Sequence, residues 1–266
     1  MTRVIKVGGR PQLDPALPGA LAAAHRANYS ALPGAKATST EAILVVHGGG
    51  DEVSTLQGLY GVQSEFRGGR RVTREADLEI IRMALSGSAN KRLVSALVSQ
   101  EVPAIGLSGE DGGILVAELA DMERFGYVGT ASQVNASLLD SLLAQGFMLV
   151  ISPVSRCVDT SISQCLNVNG DDAAAAIAVA LKATELLFVS DVPGMLVDGV
   201  AVSMLEPADA QRYIEDGTAQ GGMAAKLEAA LAALQGGVER VRISDIAAIE
   251  QLDRGTVLTR VGSVHA

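Results

Sequence analysis

Ala42-Ile43-Leu44-Val45-Val46-His47-Gly48-Gly49-Gly50 decides how this chain is read. Residues 42–46 are apolar without a break, and such a run fits a strand buried on both faces, as in a parallel sheet. Three glycines follow at once. Lacking Cβ atoms, they let backbone N–H groups come close to a ligand and take positive φ at little cost. Amides at the carboxyl end of a parallel strand, leading into a helix, form a ready anion site. A tight turn without a ligand needs one glycine. Three of them after a strand with no polar residue point to a site.

Working outward, the Val4–Val7 segment is a short strand interrupted by Lys6 and followed by Gly8-Gly9. A strand lysine is usually an edge residue facing water. Beside a second glycine loop, Lys6 also reads as a lysine held at the sheet's carboxyl edge. Ala16 to Ala31 reads as a helix stopped by Pro33-Gly34, with a loop over 35–40. With its flanking strands this makes a right-handed βαβ unit. A helix from Gly50 to about Gly58 follows. Thr73 suits an N-cap, with Glu75 and Asp77 in the first turn. One helix then runs to Gly87 and a second from Ala89 to about Gln100. Arg67 and Arg74 read as solvated charge, whereas Arg71, just ahead of a cap, is placed to grip a carboxylate with two parallel N–H bonds.

Further strands are expected at 104–107, 114–119, 127–128 and 147–151, a helix at 135–145 and a hairpin at 153–166. Asn167-Val168-Asn169-Gly170-Asp171-Asp172 leads into an Ala-rich helix at 173–182. Capping explains one acid there, but two asparagines and an aspartate make a denser polar cluster than capping needs. A strand at 186–189 ends in Ser190-Asp191-Val192-Pro193-Gly194, and a helical region covers 204–217. Gly221-Gly222-Met223-Ala224-Ala225-Lys226 opens a helix to about Leu234. Lys226 sits where the helix dipole disfavours a cation. It is either a solvated lysine or one that meets phosphate oxygens at the helix N-terminus. Strands at 241–243 and 257–261 close the chain. The alternation predicts a three-layer αβα sandwich around a mainly parallel central sheet.

Composition narrows the function. Hydrophobic residues make up 48% of the 266, so a large core is available, and aromatics at 3% leave aliphatic and alanine packing to fill it. A net charge of -9 argues against non-specific nucleic-acid binding, which needs a basic surface. Two cysteines, Cys157 and Cys165, and no signal-peptide pattern lead us to expect a cytoplasmic protein with reduced thiols. The longest apolar stretch, Ala173 to Leu181, is too short to span a membrane. The chain lacks G-x-x-x-x-G-K-[ST], G-x-G-x-x-G and G-x-S-x-G, and no His/Cys cluster has zinc spacing.

Seven segments in order resemble the amino-acid kinase family. They are Val4–Gly9, Val46–Gly50, Gly69–Thr73, Gly106–Gly113, Asn167–Asp171, Ser190–Gly194 and Gly221–Lys226. The resemblance implies the carbamate-kinase-like fold over 1–266, with an N-lobe (1–166) for acceptor and dimer contact and a C-lobe (167–266) for ATP. Arg71-Val72-Thr73 points to N-acetyl-L-glutamate as acceptor and so to a step of arginine biosynthesis. By the resemblance, Lys6 and Lys226 stabilise the transferring phosphoryl group and Asp171 holds both lysines. Gly49 and Gly50 bind the acceptor through backbone amides, and Arg71 and Asn167 bind its carboxylate and amide. Gly8, Gly9, Ser190, Asp191, Val192, Pro193, Gly194, Met195, Leu196 and Met223 lie on the ATP side. Mg²⁺ is carried by the nucleotide phosphates rather than by side chains.

A γ-carboxylate is already ionised at neutral pH, so attack on the γ-phosphate needs charge neutralisation and in-line positioning rather than a general base. Two other readings stay open. Gly170-Asp171-Asp172 is similar to a related kinase acting on carrier-linked aminoadipate or glutamate, and a catalytically silent amino-acid-binding regulator shares the fold. The family's arginine-inhibited hexamers carry a helix ahead of the first strand. Only Met1, Thr2 and Arg3 precede it here, so the expectation is a C2 homodimer that arginine does not inhibit.

Overall fold

The computed structural model describes residues 1–30, 38–39, 41–67 and 70–259. The expected helix stop at Pro33-Gly34, most of the loop at 35–40, Gly68, Gly69 and the end of the last strand at 260–261 lie outside them.

Strand Thr2–Val7 occupies the middle of the sheet. It pairs in parallel with Ala42–His47 on one side and with Glu185–Val189 on the other. Among the described residues the sheet has seven strands, in the order Thr256–Thr259, Arg240–Ser244, Glu185–Val189, Thr2–Val7, Ala42–His47, Met148–Ser152, Ala104–Ser108. The edge strand Thr256–Thr259 is antiparallel to its neighbour, and the remaining pairs are parallel. Helices on both faces explain the unbroken apolar run at 42–46.

A two-residue period sends successive side chains to opposite faces. Val4, Leu44, Val46, Leu186 and Phe188 join one core, packed with helices Gly170–Ala180 and Gly221–Gly236. Ile5, Val7, Ile43, Val45 and Leu187 join the other, with helices Leu17–Asn28 and Asn90–Val98. By the same period Lys6 faces the helix that begins with Gly170-Asp171, and His47 faces the helix that begins with Asn90. Lys6 is therefore a central-strand residue, only 6% exposed, and not an edge lysine in water.

Some expectations change. Strands Leu115–Leu119, Val128–Val134, Val154–Cys157 and Cys165–Val168 close into a small barrel beside the sheet, so the hairpin at 153–166 forms but belongs to a second body. The helices expected at 73–87 and 89–100 are one run from Glu75 to Val98, carried past Gly87 by a π-helical segment, Met83–Ala89. Its cap is Arg74 rather than Thr73, with the Asp77 carboxylate accepting from the Arg74 N–H at 2.9 Å. The helix expected from 173 starts at Gly170, and its cap is Asn169, whose Oδ1 accepts from the Asp171 N–H at 2.8 Å. Asparagine does the capping, which leaves the Asp171 carboxylate free for other work.

At the amino ends of the strands an ionic clamp closes the sheet. Glu185 accepts from Arg3 Nε at 2.5 Å and from Arg242 Nε at 2.6 Å. Arg242 Nη2 also donates to Glu185 Oε2 at 3.1 Å, and further N–H groups of the two buried guanidiniums go to the carbonyls of Ala248, Ile249, Gln251 and Arg254. Among the described residues no helix is long and apolar enough to cross a membrane.

Candidate active site

At the carboxyl ends of the central strands, where open α/β sheets hold their ligands, lies a cavity of about 480 Å³. Eight of the expected residues line it: Lys6, Gly8, Gly9, Gly49, Gly50, Arg71, Asn167 and Asp171.

Lys6 Nζ lies 2.7 Å from Asp171 Oδ1, and Lys226 Nζ lies 3.5 Å from Oδ2 of the same carboxylate. Burial pushes the Asp171 carboxyl up, but the two ammoniums outweigh it and hold the group below the ordinary aspartate value. Burial also lowers Lys226, against the pull of Asp171, with Lys6 adding to the lowering. Two cations thus share one anion, leaving a net positive charge at the start of a helix whose N-terminus is itself positive. That arrangement suits a phosphoryl group. The backbone around Lys6 is pared down to let it lie there. A Cβ on Gly8 would stand 2.3 Å from Lys6 Nζ, and one on Gly170 would stand 3.2 Å from Lys6 Cε.

The second glycine loop is tied to the first, since the Gly48 N–H donates to Val7 O at 2.8 Å. Gly49 caps helix Gly50–Leu59 at φ 146°, where a Cβ would also meet Leu85 Cδ2 at 2.6 Å. Cap and first-turn N–H groups have no place in a helix's own ladder, so those of Gly49 and Gly50 are available to a ligand. His47 is not among the cavity-lining residues. It is wholly buried, and burial pushes its pKa down to about 4, so it supplies no general base there.

Arg71 lines the cavity, but the expected free guanidinium fork is not what the structure holds. Its Nη1 donates to Gln57 Oε1 and Ser64 Oγ, both at 2.7 Å. Its Nη2 donates to Gly50 O at 2.8 Å and Ser54 Oγ at 2.9 Å. The Phe66 ring packs 4.6 Å from the guanidinium carbon. A carboxylate bound in two-pronged fashion must displace serine or amide partners. Asn167 is joined to Arg71 through the buried Thr73, whose Oγ1 accepts from Asn167 Nδ2 at 3.0 Å and donates to Arg71 O at 3.2 Å.

Lys226 reaches the site only through Asp171, and Ser190–Leu196 and Met223 lie outside the cavity lining. That loop is firmly built: the Ser190 N–H donates to Ser244 O at 2.7 Å and the Met195 N–H to Thr256 Oγ1 at 2.8 Å. Met195 is 2% exposed, so its side chain belongs to the core and cannot meet a nucleotide. Asp191 is close enough for its charge to act on Lys226, which puts the loop on the Lys226 side.

Sequence reasoning did not select Asn169, Arg70, Ser54 or Phe66, which also line the cavity. Asn169 stood inside the quoted cluster, and its spacing of two from Asn167 was a usable signal. Arg70 pairs with Asp172 at 3.1 Å, so that aspartate has a partner rather than a capping role. Gln57, buried behind Arg71, carries no motif.

A parallel α/β sheet with two glycine loops at its carboxyl edge, and two lysines sharing an aspartate between them, defines an α/β protein built to hold and neutralise an anion. The amino acid kinase family matches residues 1–245, and the chain belongs to it. It is 43% identical over 258 residues to the acetylglutamate kinase of Chloroflexus aurantiacus, covering 96% of both chains. It is also 43% identical over 201 residues to the acetylglutamate kinase of Geobacillus stearothermophilus, covering 76% of this chain and 77% of the relative. The crystal structure of smu.665 from Streptococcus mutans superposes with a TM-score of 0.84 at 25% identity, covering 97% of this chain and 98% of the other.

Proposed function

We propose that this protein transfers the γ-phosphoryl group of ATP to the γ-carboxylate of N-acetyl-L-glutamate, giving N-acetylglutamyl 5-phosphate and ADP, a step of arginine biosynthesis. The observation that carries the reading is the Lys6–Asp171–Lys226 group beside a cavity that also holds Arg71, Asn167 and the Gly49-Gly50 amides. The names of the relatives supply the acceptor.

Lys6 neutralises the phosphoryl oxygens from the sheet side, and Lys226 does so from the nucleotide side. Asp171 holds both ammoniums at fixed positions and takes no proton, because the acceptor is already a carboxylate. The bare backbone at Gly8 and Gly9 is a cradle that side chains would fill, and it fits nucleotide phosphates. Mg²⁺, carried by those phosphates when the nucleotide is bound, would supply charge neutralisation there. Arg71 and Asn167 position the acceptor, with Val53, Ile81, Leu85 and Val128 as the apolar wall for its carbon chain. The acceptor is then held mainly by the N-lobe (1–166), with Asn167 added from the C-lobe (167–266), and the nucleotide mainly by the C-lobe, with Gly8 and Gly9 added from the N-lobe.

The carrier-linked acceptor loses support at the rim. An acidic carrier wants free basic groups there. Arg67 and Arg74 share Glu65, and Arg70 pairs with Asp172. A silent regulator needs neither lysine. We also infer a cytoplasmic C2 homodimer, to be checked by light scattering. A coupled assay of ADP release with acetylglutamate, acetylaspartate and acetylaminoadipate tests the function. Turnover of acetylglutamate at least about tenfold above the other two is expected, and none with any of them would end the reading.

A further inference from the structure

The strand that opened the sequence reading ends in a histidine that the reaction does not use. His47 is wholly buried, yet both its ring nitrogens are engaged. Nδ1 lies 2.8 Å from Gly48 O, and Nε2 lies 3.1 Å from Asn90 Nδ2. The partners fix the tautomer. Asn90 Nδ2 also faces Val150 O at 2.9 Å and Leu107 O at 3.3 Å, and its Oδ1 accepts from Lys91 Nζ at 3.1 Å, so the amide cannot be turned round. Nε2 therefore accepts from an N–H of Asn90, and Nδ1 carries the proton given to the Gly48 carbonyl. A second ring proton would point at the Asn90 amino group. Gln12 Nε2 stands 3.5 Å from Nδ1, and the charges acting on the ring are those of Glu52, Arg92 and Lys6.

The π-helical segment explains how Asn90 gets there. In an α-helix, residues five apart lie about 140° apart around the axis. A π turn closes over five residues, and here the Asn90 N–H donates to Leu85 O. Leu85 and Asn90 thus share a face. Leu85 packs against Gly49, while Asn90 holds His47.

We propose that His47 and Asn90 are positioning residues: the neutral Nδ1–H imidazole, held by Asn90, ties back the Gly48 carbonyl and so keeps the Gly49 and Gly50 N–H groups turned to the acceptor. This deepens the proposed function and rests on it only for the substrate used in the assay. Gly48, Gly49 and Gly50 share consecutive peptide planes, and Gly49 has no side chain to fix its own conformation. A tether on the carbonyl between Gly48 and Gly49 restrains the very plane whose N–H belongs to Gly49.

The test has two arms on the full chain. Long-range ¹H–¹⁵N NMR with ¹⁵N-histidine, assigned through His47→Gln, should show His47 as the neutral Nδ1–H tautomer from pH 8 down to about 5.5. An Nε2–H or charged ring overturns the proposal. In the second arm, His47→Leu and Asn90→Leu should raise the KM for acetylglutamate about tenfold, with the KM for ATP within about twofold. His47→Gln keeps a donor and an acceptor and should recover most of the loss. An unchanged acceptor KM in a folded leucine variant, or an equal rise for ATP, overturns it. If neither leucine variant folds, the NMR arm and His47→Gln decide. If another acyl amino acid proves to be the acceptor, its KM is measured instead, and the tautomer result stands apart from that failure.

Discussion

Gly8 contributes no functional group, yet a methyl there would occupy the place of the Lys6 ammonium. Gly8→Ala should lower kcat about 10²-fold while leaving the melting temperature nearly unchanged, because the far end of a lysine can swing aside at little cost. A normal kcat in that variant would mean that Lys6 reaches the phosphoryl group from elsewhere. Lys6→Ala and Lys226→Ala should each cost kcat about 10²-fold, the scale for losing one donor that acts on the transition state. Steady-state kinetics on folded protein settles either case. Arg71→Lys keeps the charge but loses the planar fork. It cannot serve Gln57, Ser64, Gly50 and Ser54 together. The acetylglutamate KM should rise and the ATP KM should hold, and parallel rises would place Arg71 in the fold's support.

Among elements, the ionic clamp on the sheet's amino edge is the most exacting. Glu185→Gln leaves Arg3 and Arg242 buried beside a neutral amide, and losing one partner of a buried ion group costs about 3–5 kcal/mol. Urea denaturation of the variant measures it, and a loss under about 1 kcal/mol would show that the backbone carbonyls suffice. The clamp was invisible in the sequence, because Arg3 and Glu185 meet only through strand register. The strands themselves were legible, since Ile43–Val46 and Met148–Ile151 are apolar without a break. So were the two glycine loops and Lys6, each marked by a residue type that a strand or turn does not otherwise need. The π segment was not: Gly87 reads as a stop, whereas packing of Leu85 on Gly49 and of Asn90 on His47 carries the helix through it. The small barrel was missed for the same reason, as its short strands gain their pattern from one another.

For the molecule as a whole, acid should act in two stages. His47 has a folded pKa of about 4, against about 6.5 when unfolded. Between those values the unfolded chain binds the extra proton, so stability falls as pH drops from 6.5 to 4, by on the order of 3 kcal/mol. Asp171 and Glu185 are depressed carboxylates, so their contribution is present above about 4 and is lost only as pH falls further. Melting curves at pH 7.5, 5.5 and 4.5 should show the upper stage, and His47→Gln should flatten it. The placing of strand Thr2–Val7 between Ala42–His47 and Glu185–Val189 has a last consequence, for synthesis. The lysine strand and its first partner, Ala42–His47, leave the ribosome well before Glu185–Val189, so its second edge stays bare until residue 189 emerges. At about 5–20 residues per second that wait is on the order of ten seconds or more. Through all of it an apolar strand edge is open to any passing chain, so the nascent protein should depend on chaperone cover until strand Glu185–Val189 arrives to shield it.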